Sequence, residues 1–227
     1  MIKPTGKNLP SIFRKPRERL DIEWQSLKRR TMDKFGLITW KFFLKGWKSR
    51  PRPKLERRAL VPLAKDYHSQ IYTAFAAHDT PTITRLCCSG LAADFRARMS
   101  HRALGTHVTW SLASYTASPK IVSNRASPLP GLQRSGVRQV VVRLASKQIL
   151  ATWTDEQARA AVPADVETVE SEVTEYLVLQ RRMLEGVEEA WMVWGFAEES
   201  TPEVRRRDEK MTRELEEYQR AQSSLQA

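Results

Sequence analysis

The sequence predicts an α+β fold in which N-terminal helices pack on one face of a curved antiparallel sheet of four to five strands. Three observations predict it. Apolar residues recur at helical spacing as far as Leu104, the period then changes from helical to two, and Leu184-Glu185-Gly186 separates two apolar runs as a hairpin turn would.

The chain of 227 residues has room for one ordinary domain with extensions. Residues 1–17 are basic, hold no acidic residue and carry Pro4, Pro10 and Pro16, so they read as an extended arm. That composition is compatible with a targeting presequence, although the prolines break a long amphipathic helix there. A helix is predicted from Pro16 to about Lys34, with Leu20, Trp24, Leu27 and Met32 at helical spacing. A second is predicted over 35–48, where Phe35, Ile38, Phe42 and Trp47 share a broad apolar sector and Lys34, Lys41, Lys45 and Lys48 supply charge. Residues 49–58, SRPRPKLERR, read as a stiff Pro/Arg linker. The boundaries follow: a basic RNA- or membrane-binding extension over 1–58, an α+β domain over 59–200, and a charged helix or tail over 201–227.

The domain opens with a helix over about 62–78 whose apolar face is Leu63, Tyr67, Ile71, Phe75 and Ala76. Asp79-Thr80-Pro81 caps a short helix to Cys88, and a third runs over about 90–101 with Leu91, Phe95 and Met99 on one face. Val108, Trp110 and Leu112 alternate with polar neighbours as a half-buried strand, and residues 119–127 form a shorter strand. Residues 136–153 form the strand richest in β-branched residues, and 154–172 read as a polar loop or a local turn of helix. Residues 173–183 and 187–199 then flank the hairpin turn. From Glu203 to Arg220 six basic residues face six acidic ones, a solvated or partner-bound helix with Met211, Leu215 and Tyr218 as its narrow seam.

Charge locates the function. The net charge is +12, yet residues 1–58 hold 18 Lys and Arg against 5 Asp and Glu, leaving 20 against 21 for the rest. The extension therefore carries the whole excess, as expected of a chain that binds a phosphate polyanion or an anionic lipid surface. The candidate RNA-binding residues are Arg14, Lys15, Arg17 and Arg19, then Lys28, Arg29 and Arg30, then Arg50, Arg52, Lys54, Arg57 and Arg58. Trp40, Phe42, Phe43 and Trp47 are the candidate membrane or partner contacts. Such a pattern recognises phosphate and carries no base readout.

Chemistry has little support. The adjacent Cys87 and Cys88 suit neither a disulfide framework nor a metal site and read as small buried hydrophobes of a helix. His68, His78, His101 and His107 lack a metal-ligand spacing, and no phosphate-cradling loop or hydrolase motif occurs. The expectation is a non-enzyme with no catalytic residue, cofactor, metal or small-molecule substrate. A pocket enzyme would need a cavity holding a paired carboxylate and aromatic hydroxyl. Asp66, Asp79 and Asp94 are its candidate acids, and caps or surface carboxylates are their plainer reading.

From about Leu63 to Glu199 the chain resembles a known mitochondrial family. YTAFAAHDTPTITRLCCSGLAADFRARM at 72–99, TWSLASYTASPKIV at 109–122 and YLVLQRRMLEGVEEAWMVWGFAEES at 176–200 carry the resemblance. The family unites the docking subunit of the mitochondrial import motor, the mitochondrial large-subunit ribosomal protein forty-five and its fungal relative, the membrane-associated ribosome receptor. The resemblance implies a cone-shaped, nuclear-transport-factor-like domain in the mitochondrial matrix, peripheral to the inner membrane. It further implies a component of the large ribosomal subunit near the polypeptide exit, helping dock the ribosome for membrane insertion of nascent chains. Ribosomal RNA and neighbouring ribosomal proteins would be its partners, with inner-membrane lipid and an insertase beyond them. The basic extension favours that ribosomal branch over the alternative, an adaptor of the import motor.

Overall fold

The computed structural model describes residues 2–4, 8–13, 15–44, 46, 48, 50–159 and 167–201, and beyond them 204, 206, 207, 210, 211, 213, 214, 217 and 218. The elements follow as α1 (Pro16–Ile38), a π-helical turn (Thr39–Phe43), α2 (Arg57–Ala76), α3 (Thr80–Leu86), α4 (Ser89–Ser100), β1 (Thr106–Pro128), β2 (Gly136–Thr154), α5 (Asp155–Arg159), β3 (Glu167–Leu184), β4 (Val187–Glu188) and β5 (Met192–Ala197). They form two compact units, residues 1–31 with 198–227, and residues 32–197. The larger unit thus takes in residues 32–58 of the basic segment.

The larger unit is α+β, its five strands forming an open antiparallel sheet. β2 lies between β1 and β3, and β3 pairs onward with both β4 and β5. Residues 106–128 form one strand rather than two. Register shifts at Leu112/Ser114, Tyr115/Ala117, Ala117/Lys120 and Ile121/Ser123 absorb extra residues and bend β1 without ending it. Pro119 is tolerated inside it because β1 ends the strand order, where a missing N–H breaks no inner ladder. The hairpin is as expected: Leu184 pairs with Val187, and Glu185 (φ 50°) and Gly186 (φ 85°) supply the two left-handed residues of a two-residue turn. The segment read as a polar loop or a local turn of helix contains the short α5, in keeping with the second reading, and also the start of β3.

α2 begins at Arg57 and contains Pro62, five residues earlier than its apolar pattern suggests. Its buried stripe is Leu60, Ala64, His68 and Ile71. With Ile83 and Leu86 of α3 and Phe95 and Met99 of α4, it covers Val140, Val142 and Leu144 of β2 and Leu177 and Leu179 of β3. Cys87 ends α3 and Cys88 donates its N–H to Val193 O at 2.8 Å, so the pair joins that helix to β5 instead of lying within a helix.

One helix, α1, replaces the two predicted on either side of residue 34. Gly36 does not break it, because it marks a close approach: a Cβ there would stand 2.3 Å from Ala126 O of β1. Ser123 Oγ also donates to Asp33 Oδ2 at 3.2 Å. Trp40 and Leu44 reach Gly136 at the start of β2, where a Cβ would lie 3.2 Å from the indole and 2.8 Å from Leu44 Cδ2. These contacts bind residues 33–44 to the sheet.

The smaller unit joins the chain ends. Ile2 donates its N–H to Ser200 Oγ at 3.1 Å and accepts from Ser200 N–H at 2.9 Å, and Asn8 Nδ2 donates to Glu199 Oε2 at 2.9 Å. Lys3 Nζ meets Glu23 of α1 at 2.6 Å. The described residues from 204 to 218 are helical; Leu215 of the predicted seam lies outside them.

Candidate nucleic-acid interface

The predicted basic residues divide between the two units. In the smaller one Arg17, Lys28, Arg29 and Arg30 are exposed on α1, whereas Lys15 pairs with Glu18 at 3.2 Å and Arg19 with Glu23 at 3.0 Å. Arg14 lies outside the described residues.

In the larger unit Arg50, Lys54, Arg57 and Arg58 are exposed within nine consecutive positions. Arg52 is half-buried with its guanidinium 4.7 Å from the centre of the Phe42 ring. This stretch is fixed in place. The buried Arg138 of β2 donates to Leu55 O at 2.7 Å, to Lys54 O at 3.5 Å and to Asn124 Oδ1 at 3.2 Å, and stacks 5.3 Å from Trp191. Burial pulls the Arg138 guanidinium down to about 10, so it stays charged at neutral pH. Its hydrogen bonds hold the backbone of residues 54 and 55 while the side chain of Lys54 faces solvent. Arg57 and Arg58 then stand in the first turn of α2, where the helix dipole adds to their attraction for anions. Cations on a fixed backbone can meet several phosphates at once, and each contact releases counterions.

The aromatic candidates divide differently. Trp40, expected at a membrane or partner, is only 1% exposed and belongs to the core, because the π-helical turn rotates it towards β2. Phe42 is half-buried beneath Arg52, and Phe43 is exposed at 57%. Trp47 lies outside the described residues. The large apolar side chains left open among the described residues of the smaller unit are instead Ile12, Phe13, Leu20, Trp24, Leu27, Met211 and Tyr218.

Residues far apart in the sequence form a network at the heart of the larger unit. Glu175 of β3 accepts from His68 Nε2 and Gln148 Nε2, both at 2.8 Å, and from the Tyr72 hydroxyl. Trp110 Nε1 donates to Gln148 Oε1 at 2.9 Å and its ring stacks on Tyr72 with centres 5.2 Å apart. Burial pushes the Glu175 carboxyl up, but the hydrogen bonds from His68, Tyr72 and Gln148 outweigh it and hold it below the ordinary range. Burial and the neighbouring carboxylate push the Tyr72 phenol far up, so it remains a donor. Tyr72, Trp110 and Gln148 also line a groove of about 770 Å³ with Phe75, Arg98 and Leu150. The acids named from sequence lie elsewhere. Asp79 caps α3 by accepting from Thr82 N–H at 3.1 Å, Asp66 accepts from Gln70 Nε2 at 2.8 Å, and Asp94 is exposed. Alternation was the available signal, since Glu175 shares the inward phase of Leu177 and Leu179.

Comparison with known proteins supplies the family. The family model described as MBA1-like protein matches residues 1–225. The chain belongs to the MBA1-like family. That family is one of mitochondrial, membrane-associated ribosome receptors. A search of curated proteins finds no match. Among solved structures, the intermembrane-space region of the chloroplast protein ARC6 aligns at 11% identity and a TM-score of 0.40, covering 64% of this chain and 97% of that one. Among the described residues of this MBA1-like protein, no helix is long and apolar enough to cross a membrane.

Proposed function

We propose that this MBA1-like protein is a non-enzymatic docking component of the mitochondrial large ribosomal subunit. In this reading it sits in the matrix near the polypeptide exit, binds ribosomal RNA through the cations of residues 50–58 and helps hold the ribosome to the inner membrane for insertion of nascent chains. Neighbouring ribosomal proteins, inner-membrane lipid and an insertase are its partners. The observation that carries the reading is the cluster Arg50, Lys54, Arg57 and Arg58, exposed on a backbone that Arg138 ties to the sheet. Membership of a ribosome-receptor family supports the ribosomal branch over the import-motor adaptor.

The test is co-sedimentation of the full chain with purified mitochondrial large subunits across a salt series. Log affinity should fall with log salt by about 0.7–0.9 per phosphate engaged. The variant Arg50→Ala/Lys54→Ala/Arg57→Ala/Arg58→Ala should bind more weakly with a shallower slope. Equal affinity and slope in the variant would remove the cluster from the interface.

A second reading, a pocket enzyme, is favoured by the Tyr72–Glu175 pair beside the groove. Against it, both carboxylate oxygens already accept hydrogen bonds from within the fold. Retention of ribosome binding by Tyr72→Phe supports the docking reading, since that change removes only the hydroxyl.

A further inference from the structure

The outer face of α1 combines an apolar stripe with a cationic border, and both are exposed among the described residues. Leu20, Trp24 and Leu27, spaced i, i+4, i+7, fall within a sector of about 60° at 3.6 residues per turn. They are exposed by 68%, 69% and 57% respectively. Ile22, on the opposite face, is buried. Phe13 stands seven residues before Leu20, 96% exposed, beside a turn closed by Lys15 N–H donating to Ser11 O at 2.9 Å.

Cations border the apolar sector on both sides, Arg17 and Lys28 on one and Arg30 on the other. All three are exposed, and among the described residues none of them is held in an ion pair. The nearby acids are largely neutralised. Glu23 is shared by Lys3 at 2.6 Å and Arg19 at 3.0 Å, which together hold its carboxyl below the ordinary range, and Glu18 pairs with Lys15. Asp21, next to Lys28 around the helix, is the exposed acid of this face.

We infer that this face of α1 is a membrane-surface anchor, lying in the plane of an anionic bilayer with Leu20, Trp24 and Leu27 in the headgroup–acyl boundary and Arg17, Lys28 and Arg30 on lipid phosphates. An anionic bilayer satisfies both halves of the pattern, hydrocarbon for the stripe and phosphate for its borders. Trp24 suits that depth because its ring is apolar and its N–H polar. The inference rests on the docking reading above and divides its labour: lipid falls to α1, and RNA to the Arg50–Arg58 cluster. It moves the lipid contact away from Trp40 and takes three cations out of the predicted RNA set.

The test floats the full chain with phosphatidylcholine vesicles made with and without cardiolipin. Wild type should float with the cardiolipin vesicles. Trp24→Glu/Leu27→Glu should lower the floated fraction roughly tenfold, and Arg17→Ala/Lys28→Ala/Arg30→Ala should abolish the preference for cardiolipin. Because these side chains are exposed, each variant should keep the wild-type melting curve and co-sediment with large subunits as wild type does. Undiminished flotation of the Trp24/Leu27 variant overturns the inference. So does loss of its ribosome binding with flotation intact, which would make the stripe a protein-binding surface. Failure of the Arg50–Arg58 cluster in co-sedimentation would sink the RNA assignment while leaving the flotation result standing.

Discussion

Removing the Glu175 carboxylate should destabilise the larger unit more than the loss of most single surface groups. Three donors converge on it, His68 Nε2 and Gln148 Nε2 at 2.8 Å and the Tyr72 hydroxyl, from α2 and β2. Glu175→Ala strands His68 Nε2 and the Tyr72 hydroxyl and leaves Gln148 Nε2 only its bond to Ser146 Oγ at 3.0 Å, and removing one member of a buried charged network costs about 3–5 kcal/mol. For a chain of this length each kcal/mol lowers Tm by about 2–4 °C, so a fall of roughly 6–20 °C is expected in thermal denaturation followed by circular dichroism. Glu175→Gln keeps one acceptor, and the Tyr72 hydroxyl can turn to accept from the new amide, so it should cost only about 1–2 kcal/mol. The pH dependence has a definite sign. The folded carboxyl lies below its ordinary value of 4.5, so its contribution is present above that pH and is lost as pH falls through the folded value. The gap between wild type and Glu175→Gln should therefore narrow in acid below about pH 4.5. A Glu175→Ala protein within about 1 kcal/mol of wild type would refute the reasoning, because the fully buried His68 would be left without its carboxylate acceptor.

Other consequences are open to measurement. Trp40→Ala should lower stability by about 3–5 kcal/mol in urea denaturation while leaving vesicle flotation unchanged, since the indole is buried. Gly36→Val should raise hydrogen exchange across residues 33–44, because a Cβ would meet Ala126 O at 2.3 Å and α1 must move away from β1. Arg138→Met should raise exchange at residues 54–58 and weaken ribosome binding although it touches no phosphate, because the Lys54 and Leu55 carbonyls lose the guanidinium that donates to them. Burial pushes the Cys87 thiol up to about 12, so in the folded protein it should resist iodoacetamide near neutral pH, and labelling should follow unfolding.

Much of the fold was legible because its signals are local. The period change after Leu104 and the Glu185-Gly186 turn each specify backbone geometry from a few neighbours. The errors arose where a distant partner decided the outcome. Residues 50–58 look like a free linker, yet Arg138, more than 80 residues away, binds their carbonyls. Arg138 itself carries a signal only in its phase, shared with the buried Val140, Val142 and Leu144. Apolar residues lie on several sides of residues 35–44, so periodicity could not say that Leu37 and Trp40 turn inward while Phe35, Ile38 and Phe43 stay open. The candidate site shows the same division. Charge asymmetry located the cations, whereas which cations share a surface with an apolar stripe depends on which face of α1 is covered.

The claim that one chain bridges ribosome and bilayer is tested most directly by floating purified mitochondrial large subunits with cardiolipin-containing vesicles in the presence and absence of the protein. The subunits should rise with the vesicles only when the wild-type chain is added, and should stay at the bottom with Trp24→Glu/Leu27→Glu. Subunits that rise equally well without the chain, or that stay at the bottom with it, would contradict the account.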